Sequence, residues 1–301
     1  MARIVEIRRT IGVDIGGTNI DIVLFDVHRD KYEHIATLPT EKHLKSVGET
    51  LKKYVLEFSA DALGVGAAVW LKKGSVIHAP NLPSRSIKLE EMSIPVFLEN
   101  DANCFAIFAH RTLKFDYIFA VTIGTGIGSG IIVNGKIYKG EGIAGEIGHF
   151  EVSAEMPALR CRCGGFNHLE CYFSGWALQE RYGKSVEELM KERDIHDLEE
   201  FDVFCRAVSN AIKLLDPSAV ALGGRIGARL DEKRVKACIY RHLLSGFSPE
   251  ISVLNDEFAV AKGLACSLYS ILFSRLNNSL SIYFFVSLII FSKIYNFGFF
   301  I

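Results

Sequence analysis

Two glycine-tipped turns, each set between apolar strands, constrain this chain more than any other feature. In the first, Ile11, Val13 and Ile15 precede Gly16-Gly17-Thr18, and Ile20, Ile22 and Leu24 follow with period two. That alternation predicts a hairpin whose tip carries little side chain, so backbone N–H groups can approach a ligand and Thr18 adds a hydroxyl. Taken alone, the pentapeptide reads equally well as an ordinary hairpin turn. The second unit, Gly124-Thr125-Gly126-Ile127-Gly128-Ser129-Gly130, follows a strand over Tyr117–Gly124 and leads into another. Two such units about a hundred residues apart predict two similar half-molecules facing each other, with one nucleotide phosphate chain between them.

The remaining elements fit an α/β chain of two such halves, and 301 residues suffice for roughly two domains with cores of their own. Strands are expected over Lys31–Leu38, Leu63–Leu71, Ile94–Leu98 and Ala219–Leu222, the last ending in a third glycine turn, Gly223-Gly224. Helical spacing runs over His43–Phe58, Asp197–Leu215, Arg229–Leu243 and Asp256–Leu276. Asn134-Gly135 predicts a type I′ hairpin and Ser185 to Glu188 a capping box. Pro80-Asn81-Leu82-Pro83 is a rigid loop that can hold Asn81 outward, although a loop Asn satisfying its own backbone is as good a reading. Asp101 follows the strand at Leu98 and opens a helix, where an acidic residue is ordinarily a cap; the functional alternative is a carboxylate facing a cleft and accepting a proton.

A formal net charge of −1 supplies no electrostatic reason to bind nucleic acid. Seven cysteines in a long chain that shows no secretory leader argue against a disulfide framework and for a reducing cytoplasm. Leu280–Phe291 is almost wholly apolar before Lys293 interrupts it. This run is shorter than the roughly 20 residues of a spanning helix, which leaves a membrane tail anchor, a packed extension or an artefact as readings of residues 277–301.

DIGGT (Asp14–Thr18), END (Glu99–Asp101), GTGIGSG, GEIGH (Gly145–His149) and the Cys-x-Cys-Gly cluster ending at Glu170 together resemble the ROK family of sugar kinases and sugar-responsive repressors. They run in the family's order from about residue 10 to about 272. The resemblance implies a two-lobed actin-like ATPase (ribonuclease H-like) fold closing over ATP and a sugar. Residues 1–112, completed by a C-terminal helix at about 256–276, would form one lobe and 113–255 a larger one. It implies phosphate contacts at Asp14, Gly16, Gly17 and Thr18 and at Gly124, Thr125 and Gly126, and adenosine contacts at Gly223 and Gly224. Sugar ligands would be Asn81, Asn100, Asp101, Glu146, His149 and Glu170, with Asp101 as catalytic base. Mg²⁺ would bridge the phosphates near Asp14. The family's usual homo-oligomers are expected, with a sugar and ATP as partners and no nucleic acid.

The Cys/His residues have a reading of their own. Cys161, Cys163 and His168 share one short loop and His149 precedes it, a soft-donor set suited to structural Zn²⁺. His168 stands where the family carries a third cysteine, and Asn167 replaces a glycine in a turn that Asn tolerates; Cys171 is a substitute ligand. Ala67-Ala68 replaces a Pro-Gly loop and His110 a common Glu, leaving the sugar open. The leading expectation is ATP-dependent phosphorylation of glucose at O6. Fructokinase, mannokinase and N-acetylmannosamine kinase activities are alternatives, as is a non-catalytic sugar sensor. A repressor is disfavoured, because Asp14 comes too early to leave room for a DNA-binding domain ahead of it.

Overall fold

The computed structural model describes residues 7–268 and 272, apart from 74, 80–81, 83–86, 88, 90–91 and 158. Asn81 and the apolar stretch 277–301 therefore lie outside the described residues. Two five-stranded sheets carry the fold. In the first, β1 (Arg9–Ile15), β2 (Asn19–Asp26) and β3 (Lys31–Pro39) form an antiparallel meander. β4 (Ala62–Ala67) and β7 (Val96–Asn100) extend it in parallel, giving the order β3-β2-β1-β4-β7; between them in sequence lies a small hairpin of β5 (Trp70–Lys72) and β6 (Ser75–His78). The second sheet repeats that plan: β8 (Ile118–Ile123), β9 (Ile127–Val133) and β10 (Lys136–Tyr138) form the meander, and β11 (Ala219–Gly223) and β12 (Glu250–Val253) add in parallel. Its order is β10-β9-β8-β11-β12. The duplication predicted from the glycine turns is thus a duplication of strand topology.

Helices cover the sheets where the apolar period demanded it. The first lobe has α1 (Thr40–His43) and α2 (Val47–Glu57), whose Val47, Leu51 and Val55 are buried. The expected start at His43 is displaced, because Leu44–Ser46 forms a separate tight turn. Between the sheets lies α3 (Asp101–Leu113). Gly128 and Gly130 of β9 admit it at close range: a Cβ on Gly130 would sit 2.7 Å from the carbonyl oxygen of Ala102. Residues 259–268 form the complementary helix on the first sheet, where a Cβ on Gly12 would stand 2.0 Å from the carbonyl oxygen of Ala261.

The predicted Leu63–Leu71 strand is broken in two. The N–H of Val69 turns back onto the carbonyl of Ala67 at 2.8 Å, and the chain leaves the sheet there, so that β5 begins at Trp70. The type I′ turn is present, with Asn134 at φ 52° and Gly135 at φ 68°. The capping box of Ser185 and Glu188 opens α6 (Val186–Glu192), after α4 (Glu170–Phe173) and α5 (Gly175–Tyr182). The long amphipathic helix is α7 (Glu199–Leu215), stopped by Asp216 in the left-handed region. Gly223-Gly224 is not a strand-to-strand turn: it leads directly into the one-turn helix α8 (Gly224–Gly227), followed by α9 (Glu232–Arg241).

Candidate active site

The cleft between the sheets encloses a cavity of about 590 Å³, within the usual range for ligand sites. Asp14, Gly16, Gly17, Thr18, Asn100, Asp101, Gly124, Thr125, Gly126, Glu146, His149, Glu170 and Gly224 all line it. Of the remaining sequence-derived candidates, Gly223 does not. A Cβ there would lie 2.4 Å from the Phe105 ring, so this glycine serves the packing of β11 on α3.

Both glycine tips are braced from behind. At the first, the N–H of Gly16 bonds the Asn19 carbonyl at 2.9 Å, and buried Thr40 donates its N–H to Thr18 and its hydroxyl to Gly16. At the second, Gly124 N–H bonds the Gly126 carbonyl, while the first N–H groups of α5, on Gly175 and Trp176, bond the carbonyls of Gly124 and Thr125. The N–H groups of Gly17, Thr18, Thr125 and Gly126 have no backbone acceptor among the described residues. Rigid turns with spare N–H donors are what a polyphosphate requires.

Asn100 and Asp101 divide the work at the mouth of α3. Asn100 is the helix cap, accepting the N–H of Asn103 at 3.0 Å, and its amide donates to the Val69 carbonyl at 3.0 Å. The capping reading of Asp101 is therefore corrected: with Asn100 in that role, Asp101 is the first helical residue and one of its oxygens, Oδ1, accepts the Ala102 N–H at 2.8 Å. Behind them Glu99 is buried and accepts the Asn100 N–H and the Asn103 amide, each at 3.0 Å, and pairs with Lys139.

GEIGH docks on the second glycine tip through its own glycines. A Cβ on Gly145, at φ 93°, would lie 2.9 Å from the Ser129 carbonyl, and one on Gly148 2.2 Å from that of Ile127. This seats Glu146 and His149 beside the second turn. Glu170 starts α4 with each oxygen held by one donor: Oε2 accepts the Ile127 N–H at 3.0 Å and Oε1 the indole N–H of Trp176 at 3.1 Å.

Asp14, Asp101, Glu146 and Glu170 thus crowd one cavity. Burial, then repulsion from Asp101 and Asp21, pushes Asp14 well above the usual carboxylate range. Burial raises Asp101 too, opposed by the Ala102 N–H and assisted by Glu170. Glu146 is pushed up to about 7 by burial and Asp101, although a hydrogen bond from Trp70 pulls it down. Such crowding is unfavourable unless a cation or a polyol answers it. A hard divalent cation suits Asp14, an oxygen donor on the cavity wall.

Beside this cavity, Cys161, Cys163, His149 and His168 converge with all four donor atoms within 4.8 Å of one another. The Nδ1 atoms of the two histidines are 3.3 Å apart, Cys163 Sγ is 3.3 Å from His168 Nδ1, and Cys161 Sγ is 3.6 Å from His149 Nδ1. Bonds of about 2.0–2.3 Å to a tetrahedral zinc imply edges of about 3.5 Å, so the donor set fits that ion. Asn167 adopts the left-handed turn at φ 56°, and Gly165 leaves space for the His168 ring, which a Cβ would meet at 2.4 Å. Cys171, buried on α4, is not in the cluster.

Several lining residues escaped the sequence reading. Trp70 sits edge-on to the His149 ring at 5.2 Å; Arg225, Arg229, Glu187 and residues 255–260 line the same cavity. Arg225 alone had a local signal, following Gly223-Gly224 directly. His110 lies away from the cleft, its Nδ1 at 2.8 Å from the Phe115 carbonyl.

A family model described as the ROK family matches residues 10–265. An N-acetyl-D-glucosamine kinase of Pectobacterium carotovorum subsp. carotovorum (strain PC1) is 27% identical over 250 residues, 71% of this chain and 82% of that protein. Another, of Vibrio atlanticus (strain LGP32), is 30% identical over 253 residues, 71% of this chain and 83% of that protein. A ROK family glucokinase from Streptomyces griseus, solved in complex with glucose and AMPPNP, matches with a TM-score of 0.69 at 27% identity, covering 85% of this chain and 98% of that one.

Proposed function

The chain belongs to the ROK family, with its two-lobed actin-like ATPase fold, and from that premise we propose that it transfers the terminal phosphoryl group of ATP to O6 of a hexose, glucose first among the candidates. As a sugar kinase it needs two things from its own residues: rigid donors for the phosphates and a carboxylate at the acceptor hydroxyl. The observation that carries the proposal is Asp101, relieved of capping by Asn100 and lining the same cavity as both glycine tips.

With Oδ1 held by the Ala102 N–H, Oδ2 of Asp101 is the oxygen that orients the attacking hydroxyl and takes its proton. Burial makes it a stronger base than an exposed carboxylate. Glu146, titrating near 7, both donates to and accepts from a sugar hydroxyl. Glu170 is locked by Ile127 and Trp176, so it presents its remaining lone pairs in fixed directions. His149 commits Nδ1 to the Cys/His cluster and leaves Nε2 for the acceptor. Mg²⁺, when bound, neutralises charge on the phosphates, and Asp14 is the carboxylate that would hold it. Zn²⁺, when bound by His149, Cys161, Cys163 and His168, supplies rigidity alone. Residues 1–112 with the C-terminal helix form one lobe in this reading and 113–255 the other. The setting is the reducing cytoplasm, and the working form a homo-oligomer.

N-acetylglucosamine is the second reading, favoured by the naming of the two curated relatives as N-acetyl-D-glucosamine kinases. A coupled ADP-release assay across glucose, mannose, fructose, allose, N-acetylglucosamine and N-acetylmannosamine separates these. Turnover with at least one, yielding the 6-phosphate, is expected; no turnover with any of them would sink the proposal.

A further inference from the structure

Directly behind Asp101, an ion pair joins the first sheet to the insertion of the second, and the phosphoryl-transfer steps above give it no role. Glu99 stands on β7 one residue before the Asn100 cap, and it is buried. Its Oε1 accepts both the Asn100 N–H and the Asn103 amide, at 3.0 Å each, so one oxygen grips the start of α3 at two points. Oε2 pairs with Nζ of Lys139. Removing that cation would leave a buried charge uncompensated, a strongly unfavourable state. The position of Glu99 is therefore tied to that of Lys139.

Lys139 in turn opens the loop that ends in Glu146. Its carbonyl accepts the N–H groups of Gly142 and Ala144, at 2.7 and 3.2 Å, which winds the loop into a tight turn. Gly142, at φ 131°, presses that turn onto β5, where a Cβ would meet the Leu71 carbonyl oxygen at 2.3 Å. Gly145 presses the far end onto Ser129 of β9. The backbone from Lys139 to Glu146 is thus held at both ends.

The base and the acceptor loop share this one link. Oδ1 of Asp101 is committed to the Ala102 N–H, so the first turn of α3 decides where Oδ2 points, and Glu99 anchors that turn. A displacement of about 1 Å at reacting groups costs about 10²-fold in rate. Phosphates held by backbone N–H groups at the glycine tips do not feel such a shift. Stability alone does not account for the charges, because an apolar pair of similar volume stabilises a fold as well as a buried ion pair does. Neither residue is among those lining the cavity, so both act through their neighbours.

We propose that Lys139 and Glu99 are positioning residues for phosphoryl transfer: their ion pair aligns the Asp101 carboxylate with the acceptor hydroxyl that the Glu146 loop presents. The proposal rests on the reading of Asp101 as the base.

The test compares variants of the full chain with ATP and, in parallel, glucose and N-acetylglucosamine, reading kcat and both KM values per folded molecule. Lys139→Met keeps a long flexible side chain and removes its charge. It should lower kcat about 10- to 100-fold and leave the KM for ATP within about twofold of the parent. Lys139→Arg should recover most of the loss. Glu99→Gln should lower kcat to a similar extent, and the double variant should be no slower than the slower single one, because both break the same interaction. In the Asp101→Asn background, Lys139→Met should change the residual turnover less than about twofold, since no base is left to align. The proposal is overturned by a loss equal in Lys139→Met and Lys139→Arg, by losses that add in the double variant, or by a KM for ATP that rises as far as kcat falls. An inactive Asp101→Asn beside a Lys139→Met variant of parental kcat overturns the ion pair and spares the base. Turnover surviving in Asp101→Asn overturns the base, and the positioning role with it.

Discussion

The two sheets share strand order, β3-β2-β1-β4-β7 against β10-β9-β8-β11-β12, yet differ in what each inserts into it. The first lobe adds the small β5–β6 hairpin, carrying Trp70, after β4. The second adds residues 139–218 between β10 and β11, carrying Glu146, His149, the Cys/His cluster and Glu170. The shared frame supplies backbone: two glycine tips with spare N–H groups. It also supplies the side chains of Asp14 on β1 and Asp101 at the start of α3, while the insertions supply Trp70, Glu146, His149 and Glu170. A fold can thus keep its phosphate site by keeping its strands and change its acceptor by changing its insertions.

That contrast breaks first at the frame. Gly12→Ala forces a Cβ to 2.0 Å from the Ala261 carbonyl and should cost about 3 kcal/mol or more of stability, read in denaturant melts. If it is silent, the two sheets are not held by the close helix contacts. Next comes the carboxylate crowd. Glu146 is raised above its unfolded value, so its proton stabilises the folded chain below about pH 4.5, and stability falls as pH rises towards about 7. Unliganded Glu146→Gln should therefore be up to about 3 kcal/mol more stable than the parent at pH 8, with no gain at pH 4.

Smaller effects sharpen the division between backbone and insertion. Cys161→Ser, or zinc removal by a chelator, should raise the KM for sugar about 10- to 100-fold and leave the KM for ATP nearly unchanged. An equal rise in both would place the cluster in the shared frame. Gly124→Ala does the reverse. Nothing lies within 4 Å of the added Cβ, so folding is spared. The KM for ATP should rise about tenfold, as a methyl group that blocks one phosphate contact costs roughly 1.4 kcal/mol.

The sequence made the frame legible because its signals are local. Glycine tips between alternating strands, the Asn134-Gly135 turn and the Ser185 capping box each depend on neighbours a few residues away. The site was legible where family motifs marked it and obscure where tertiary contact decides. Taken alone, Asp101 read as a cap and only the family motif marked it as a base; Asn100 fills the capping role. Gly223 read as a ligand contact, whereas the Phe105 ring of α3 explains it. Trp70, Arg229 and residues 255–260 reach the cavity from distant segments, and no local pattern distinguishes them from ordinary strand and helix residues.

Asp101→Asn tests the central claim most directly. It keeps the shape of the helix start and an oxygen for the Ala102 N–H, and removes only the proton acceptor. Calorimetric sugar affinity should stay within about threefold of the parent while ADP release per enzyme falls by about 10³. Turnover surviving near the parent rate, or sugar binding lost with it, would contradict a base at position 101.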